Sequence, residues 1–126
     1  MNKSRLLRKP RFFYNISRNH EISRFQKLQG GYKMSVLFIN GSPNKNGNTT
    51  ELANTLMDGK DYRTLHLVDY KLYGYGQSFA DDQFAEILES MKEADTIVIG
   101  SPVYWHSMCG LVRNLLDRFY GPVGEG

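Results

Sequence analysis

Three short apolar runs constrain this chain more than any other feature. Each empties into a polar, turn-rich stretch and then a helical pattern. Ser35–Asn40, "SVLFIN", reads as a buried strand, continuous in apolar residues as strands covered on both faces are. Tyr62–Val68, "YRTLHLV", reads as a second strand with Leu65 and Leu67 on one face. Thr96–Gly100, "TIVIG", reads as a third. The order βαβαβα predicts an α/β fold with a parallel sheet and right-handed crossovers. Ligands of such sheets bind at the carboxyl ends of the strands, near the switch point.

The helices follow from spacing. Asn48-Thr49-Thr50-Glu51 has the form of a capping box, with Asn48 as cap and Glu51 three residues on. Leu52, Ala53, Leu56 and Met57 form an apolar stripe, and Asp58-Gly59 ends the helix. A Gly/Tyr-rich connection spans 69–80, and Asp81-Asp82 places negative charge at the next helix start. Phe84, Ile87, Leu88 and Met91 recur at helical spacing. After a loop over 101–106, Met108, Leu111, Val112, Leu115, Leu116 and Phe119 mark a third helix, and "GPVGEG" closes the chain in turn residues.

The first loop, "NGSPNKNGNTT", is not a Walker A motif. Gly41 and Gly47 enclose five residues instead of four, and Asn48 stands where lysine is needed. It is not a dinucleotide fingerprint either, since no G-x-G-x-x-G follows the strand. Hydroxyls, amides and backbone N–H groups remain, with Lys45 as the nearby cation. That set suits one terminal phosphate on a helix N-terminus, or a plain strand–helix turn with no ligand. The second loop, "GSPVYWH", carries a stiffening Pro102 and the flat surfaces of Tyr104 and Trp105. Aromatics there serve either core packing or a ligand. Two such loops on neighbouring strand ends fit a molecule with a phosphate tail and a flat ring system.

"INGSPNKNGNTTELA" together with "ADTIVIGSPVYWHSMCGLVRNLLDRFYGP" resembles the flavodoxin-like NAD(P)H-dependent FMN reductases and quinone reductases. The likeness runs over essentially all of 34–122. It implies a flavodoxin-like three-layer sandwich and noncovalent FMN. By position, Ser42, Asn48, Thr49 and Thr50 would hold the FMN phosphate. Pro102, Val103, Tyr104, Trp105 and His106 would line the ribityl chain and the ring. NADH or NADPH would be the electron donor and a quinone-like or other small molecule the acceptor. A homodimer is implied for full-length relatives, with the protein and its flavin in a bacterial cytoplasm. No acid–base dyad is visible, and none is needed where flavin carries the chemistry. Some relatives carry a cysteine-rich iron–sulfur motif between the second strand and second helix; here that connection has no cysteine.

The family sheet has five strands in the order 2-1-3-4-5. This chain ends after the third strand's helix, so the expectation is a sheet of order 2-1-3 with strands 4 and 5 absent. The expected consequences are an open apolar edge at strand 3, weak or absent FMN binding and impaired activity. The alternatives are a nonenzymatic electron carrier of flavodoxin type, a basic nucleic-acid-binding module and an inactive gene fragment.

Charge is divided unevenly. Residues 1–33 hold nine of the 16 basic residues and one of the 13 acidic ones, +8, leaving seven against twelve, −5. The pI near 9.0 therefore describes the first segment, and whole-chain charge is no nucleic-acid signature. That segment has the composition of a transit peptide, of a nucleic-acid-binding arm, or of upstream sequence read from a mis-set start codon. The third is preferred. Gln29-Gly30-Gly31 can be encoded with a purine-rich ribosome-binding sequence just ahead of Met34, and the first strand follows that methionine directly. Residues 1–33 are then a basic, disordered segment, and 34–126 a partial domain. The single cysteine, Cys109, excludes an intrachain disulfide. With His106 it makes too few ligands for a metal site, and it reads as a small helix-packing residue. No apolar run approaches the roughly 20 residues of a membrane span. Tyr73 and Tyr75 read as surface packing, and Arg113 and Arg118 as solvated.

Overall fold

The computed structural model describes residues 33–120. The basic segment 1–33 lies outside the described residues apart from Lys33, as does the closing "GPVGEG". Met34–Arg118 form one compact unit. Its elements are β1 (Val36–Asn40), α1 (Asn48–Leu56), β2 (Arg63–His66), α2 (Phe84–Lys92), β3 (Thr96–Gly100), β4 (Val103–Tyr104), β5 (Ser107–Met108) and α3 (Gly110–Asp117).

β1 is the central strand, paired in parallel with β2 on one side and β3 on the other. The order 2-1-3 is the expected one. Right-handed crossovers step outward from β1 to β2, then back across β1 to β3, so α1 and α2 fall on opposite faces. Packing agrees. Phe38, Ala53 and Met57 form a cluster with Val36, Tyr62 and Val98 against it, which is the α1 face. Leu37 and Ile39 point to the other face by the two-residue period of a strand, and both are buried. Each such side chain stabilises by about 1.5–3 kcal/mol. On the helices, the buried positions are Phe84, Ile87 and Met91 of α2 and Val112 and Leu115 of α3. At the amino end of the sheet, Ser35 N–H donates to Asp95 Oδ2 at 2.9 Å and Asp95 N–H to Ser35 O at 2.9 Å, tying the starts of β1 and β3.

Several expectations need correction. Asn48 is not the cap of α1: Gly47 takes that position in an extended conformation, and Asn48 is the first helical residue. Only Ala53 and Met57 of the α1 stripe are buried, while Leu52 and Leu56 are 71% and 65% exposed. One turn-position around the helix separates the two pairs. The second strand ends at His66, because Leu67–Asp69 turn into a 3-10 helix closed by Tyr70 N–H donating to Leu67 O. The stretch 101–106 is no simple loop. It enters the hairpin β4–β5, which places Met108 on an exposed strand and Cys109 at the cap of α3. Among the described residues β3 pairs with β1 alone.

Arg118 is not solvated. Its guanidinium forks onto the Asp82 carboxylate, with Nη2 to Oδ1 at 3.1 Å, and lies 4.7 Å over the Phe84 ring. Asp82 also accepts from the N–H groups of Phe84 and Tyr73, at 2.9 and 3.2 Å. One carboxylate thereby joins the 69–83 connection, the start of α2 and the end of α3. Tyr73 packs on Phe79, ring centroids 4.4 Å apart, as its surface reading expected.

The Arg118 hydrogen bond, helped by those N–H donors, holds the Asp82 carboxyl below its usual range. Its folded pKa is thus lower than its unfolded one. The stability it contributes is full above the ordinary value of 3.8 and is lost as pH falls through the folded pKa. Asp82→Asn should cost about 1–3 kcal/mol at neutral pH in urea unfolding. The gap to the parent should close in acid. A gap that stays constant from about pH 7 to about pH 2 would show that the charge is not what holds the three elements together.

Candidate functional site

The first loop leaves the carboxyl end of β1 as a ladder of polar side chains, each catching a backbone N–H two residues on. Asn40 Oδ1 accepts from Ser42 N–H at 2.9 Å, Ser42 Oγ from Asn44 N–H at 3.1 Å, and Asn44 Oδ1 from Asn46 N–H at 3.1 Å. These are the Asx and hydroxyl turns that Asn and Ser favour. Pro43 lacks an N–H and falls between rungs, where none is needed.

The ladder uses the N–H groups of 42, 44 and 46. The N–H groups of Thr50 and Glu51 both go to Gly47 O, at 3.0 and 3.1 Å. The N–H groups of Lys45, Gly47, Asn48 and Thr49 are then without a partner among the described residues, and no side chain caps α1. The Ser42 hydroxyl accepts from Asn44 and still has its own proton to give. Lys45 is withdrawn, its ammonium 2.7 Å from the Asp69 carboxylate. A helix N-terminus with neutral donors left open fits a phosphate monoester.

Thr50 sits differently from Ser42, Asn48 and Thr49. Its hydroxyl donates to Lys45 O at 2.7 Å and accepts from Asn40 Nδ2 at 3.3 Å, so it braces the loop from inside. Asn40 is the hub of this bracing. It is fully buried, and its amide also meets His66 Nδ1 at 3.1 Å. Asn40 and His66 are residues the sequence reading passed over. The signal was a polar residue ending an otherwise apolar strand, directly before glycine.

The second loop is bound to the first through backbone. Gly41 N–H donates to Gly100 O at 2.8 Å, and Cys109 Sγ lies 3.2 Å from Gly41 O. A Cβ on Gly41 would fall 2.2 Å from Val112 Cγ2, so only glycine fits there. A Cβ on Gly100 would fall 2.7 Å from the Thr49 methyl, which places Thr49 against the end of β3. Ser101 Oγ accepts from Cys109 N–H at 2.8 Å and donates to Pro102 O at 2.8 Å, closing the base of the hairpin.

The hairpin itself stands out from the unit. Tyr104 pairs with Ser107 across a two-residue turn made of Trp105 and His106. Both turn residues have positive φ, 49° and 60°, as a type I′ turn requires. Asn-Gly is the usual pair there; bulky residues in this region are disfavoured by about 1–2 kcal/mol each. Trp105 is 96% exposed and Val103 74%. Among the described residues, then, Val103, Tyr104, Trp105 and His106 share one projecting, strained and largely apolar tip, while Pro102 sits half-buried at its base.

A parallel sheet of order 2-1-3 with polar loops at its carboxyl edge is a flavodoxin-like arrangement. The sequence profile of the NADPH-dependent FMN reductase family matches residues 34–124, and the chain belongs to that family. An iron–sulfur flavoprotein of Archaeoglobus fulgidus is 38% identical over 98 residues, covering 68% of this chain and 48% of the relative. An NADPH azoreductase of a Bacillus species is 33% identical over 88 residues, covering 67% and 49%. The structure of Trp repressor binding protein from Bacillus subtilis superposes with a TM-score of 0.55 at 24% identity, covering 71% of this chain and 54% of that one; this likeness shows the fold. The chain spans about half the length of the curated relatives it matches. The family's cofactor is FMN. Two of the relatives are named as iron–sulfur flavoproteins, yet residues 67–83 here contain no cysteine, and clusters of this kind are held by four thiolates. No described helix is long and apolar enough to cross a membrane.

The turn yields a prediction. Replacing Trp105→Asn together with His106→Gly should raise the urea midpoint, by about 1–3 kcal/mol of added stability. A double variant no more stable than the parent would mean that the tip is not strained.

Proposed function

We propose that this chain is the phosphate-loop portion of an FMN-dependent NAD(P)H oxidoreductase that delivers electrons to a small acceptor such as a quinone. One observation carries the reading. The N–H groups of 45, 47, 48 and 49 have no acceptor among the described residues, at a helix N-terminus that no side chain caps, and the loop's one cation is paired with Asp69.

Ser42 and the N–H groups of Asn48 and Thr49 would hold the FMN phosphate, with Thr50 shaping the loop that presents them. Pro102, Val103, Tyr104, Trp105 and His106 would line the ribityl chain and ring. FMN, when bound, accepts hydride from nicotinamide and passes electrons on. The protein's share is position. Neutral donors suit a phosphate that must be held without drawing in nucleotide triphosphates, whose sites use lysine and a metal ion. The exposed apolar tip would gain an aromatic partner and be shielded from water on binding.

Trp105 is the only tryptophan, so its emission reports on the second loop directly. Titrating the full chain with FMN should quench that emission, and riboflavin, which lacks the phosphate, should bind at least tenfold more weakly. Ser42→Ala should weaken FMN by about five- to tenfold and leave riboflavin unchanged. Equal affinity for the two flavins would refute the phosphate assignment. Rapid mixing of the flavin-loaded chain with NADPH distinguishes an enzyme, whose flavin bleaches at once, from a carrier, whose flavin does not.

A further inference from the structure

We propose that His66 is a positioning residue for the phosphate loop: its neutral imidazole fixes the Asn40 amide that organises the loop, and protonating it releases the loop. The inference rests on the phosphate-loop reading above and adds a pH-dependent control to it.

The hydrogen positions of this network follow from chemistry. Ser42 N–H is an unambiguous donor, so the Asn40 atom 2.9 Å away must be the carbonyl oxygen. The other end of the amide is therefore NH₂, with two hydrogens. One faces Thr50 Oγ1, whose own proton is committed to Lys45 O. The second faces His66 Nδ1 at 3.1 Å. His66 Nδ1 must then be an acceptor, and the ring's proton sits on Nε2. No other tautomer satisfies the four groups together.

Adding a proton at Nδ1 sets N–H against NH₂. Turning the Asn40 amide over does not help. It would aim NH₂ at Ser42 N–H and leave Thr50, whose proton is taken, facing an oxygen. A charged His66 therefore breaks the first rung of the ladder, and the later rungs at Asn44 and Asn46 start from Ser42. Because Asn40 is fully buried, its stranded groups cannot recover hydrogen bonds from water.

The ionisable surroundings of His66 are accounted for. β1, its paired strand, has none within Val36–Asn40. In the first loop Lys45 is paired with Asp69, which lies three residues beyond His66. On β2, Arg63 pairs with Glu93 at 3.4 Å. α1 carries Glu51 in its first turn, with an exposed side chain. The pH response is assigned to the ring that touches Asn40.

The test uses the full chain, first without flavin. Nitrogen-15 NMR of the His66 ring at about pH 8 should show the Nε2–H tautomer, and the Ser42 amide should be protected from exchange. Lowering the pH until the ring-nitrogen shifts report a doubly protonated His66 should remove that protection. His66→Gln, which keeps a neutral acceptor and cannot titrate there, should retain it. An Nδ1–H tautomer, or Ser42 protection that survives in acid, overturns the proposal on the parent chain alone. Flavin binding gives the second readout. FMN carries its own phosphate ionisation near pH 6, so the comparison is with His66→Gln, which shares it. Between the pH at which NMR shows the His66 ring neutral and the pH at which it shows it protonated, the parent should lose about tenfold more FMN affinity than the variant. Parallel profiles overturn the His66 role and leave the FMN reading standing. FMN binding no tighter than riboflavin at pH 8 in both proteins overturns the FMN reading and this inference with it.

Discussion

A single buried amide at the end of the central strand governs how this chain leaves its sheet. Asn40 has no exposure to solvent, and both ends of its amide are engaged, the oxygen by Ser42 and the two N–H groups by Thr50 and His66. A buried amide left unsatisfied is costly, so a network of this kind tolerates one arrangement. In that arrangement the N–H groups of 42, 44 and 46 are all bonded to side chains of the loop itself. The open donors at 47, 48 and 49 are those any helix start leaves without an intrahelical acceptor; Asn40 fixes the loop that leads into them.

The second constraint is space. Val112 of α3 crowds Gly41, and Thr49 of α1 with the Phe38 ring crowds Gly100, so neither position has room for a Cβ. Ser101 and Cys109 then close the base of the hairpin and press it toward the first loop. The interior is ordinary: apolar strands, helices buried along one stripe, one half-buried ion pair between Asp82 and Arg118. The departures from ordinary packing gather at the carboxyl edge. Two positive-φ bulky residues and a largely exposed tryptophan sit there. Features that weaken a fold in isolation are expected where a ligand is to be held.

Much of this was legible in the residues. The parallel sheet followed from the alternation of buried runs and helical spacing, and its order from the likeness to a known family. The neutral character of the first loop was readable because Asn48 stands where a triphosphate site needs lysine. What escaped were matters of direction. Whether Leu52 or Ala53 faces the sheet is a rotation of one residue, which the mixed apolar pattern of α1 does not decide. Asn48 looked like a cap because its side chain is of the capping type; Gly47, with its extended backbone, holds the position instead. Arg118 reads as solvated from the sequence because its partner, Asp82, lies 36 residues away in the chain. The hairpin was hidden because Trp-His is an unfavoured pair for the turn it makes.

The central claim is that the open N–H groups of the first loop hold the phosphate of FMN. Amide-resolved NMR of the nitrogen-15-labelled chain during titration with FMN tests it most directly. The amides of Lys45, Gly47, Asn48 and Thr49 should shift together and saturate at one concentration, and riboflavin should leave them in place. FMN-induced shifts confined to other residues, or the same loop shifts with riboflavin, would contradict the account.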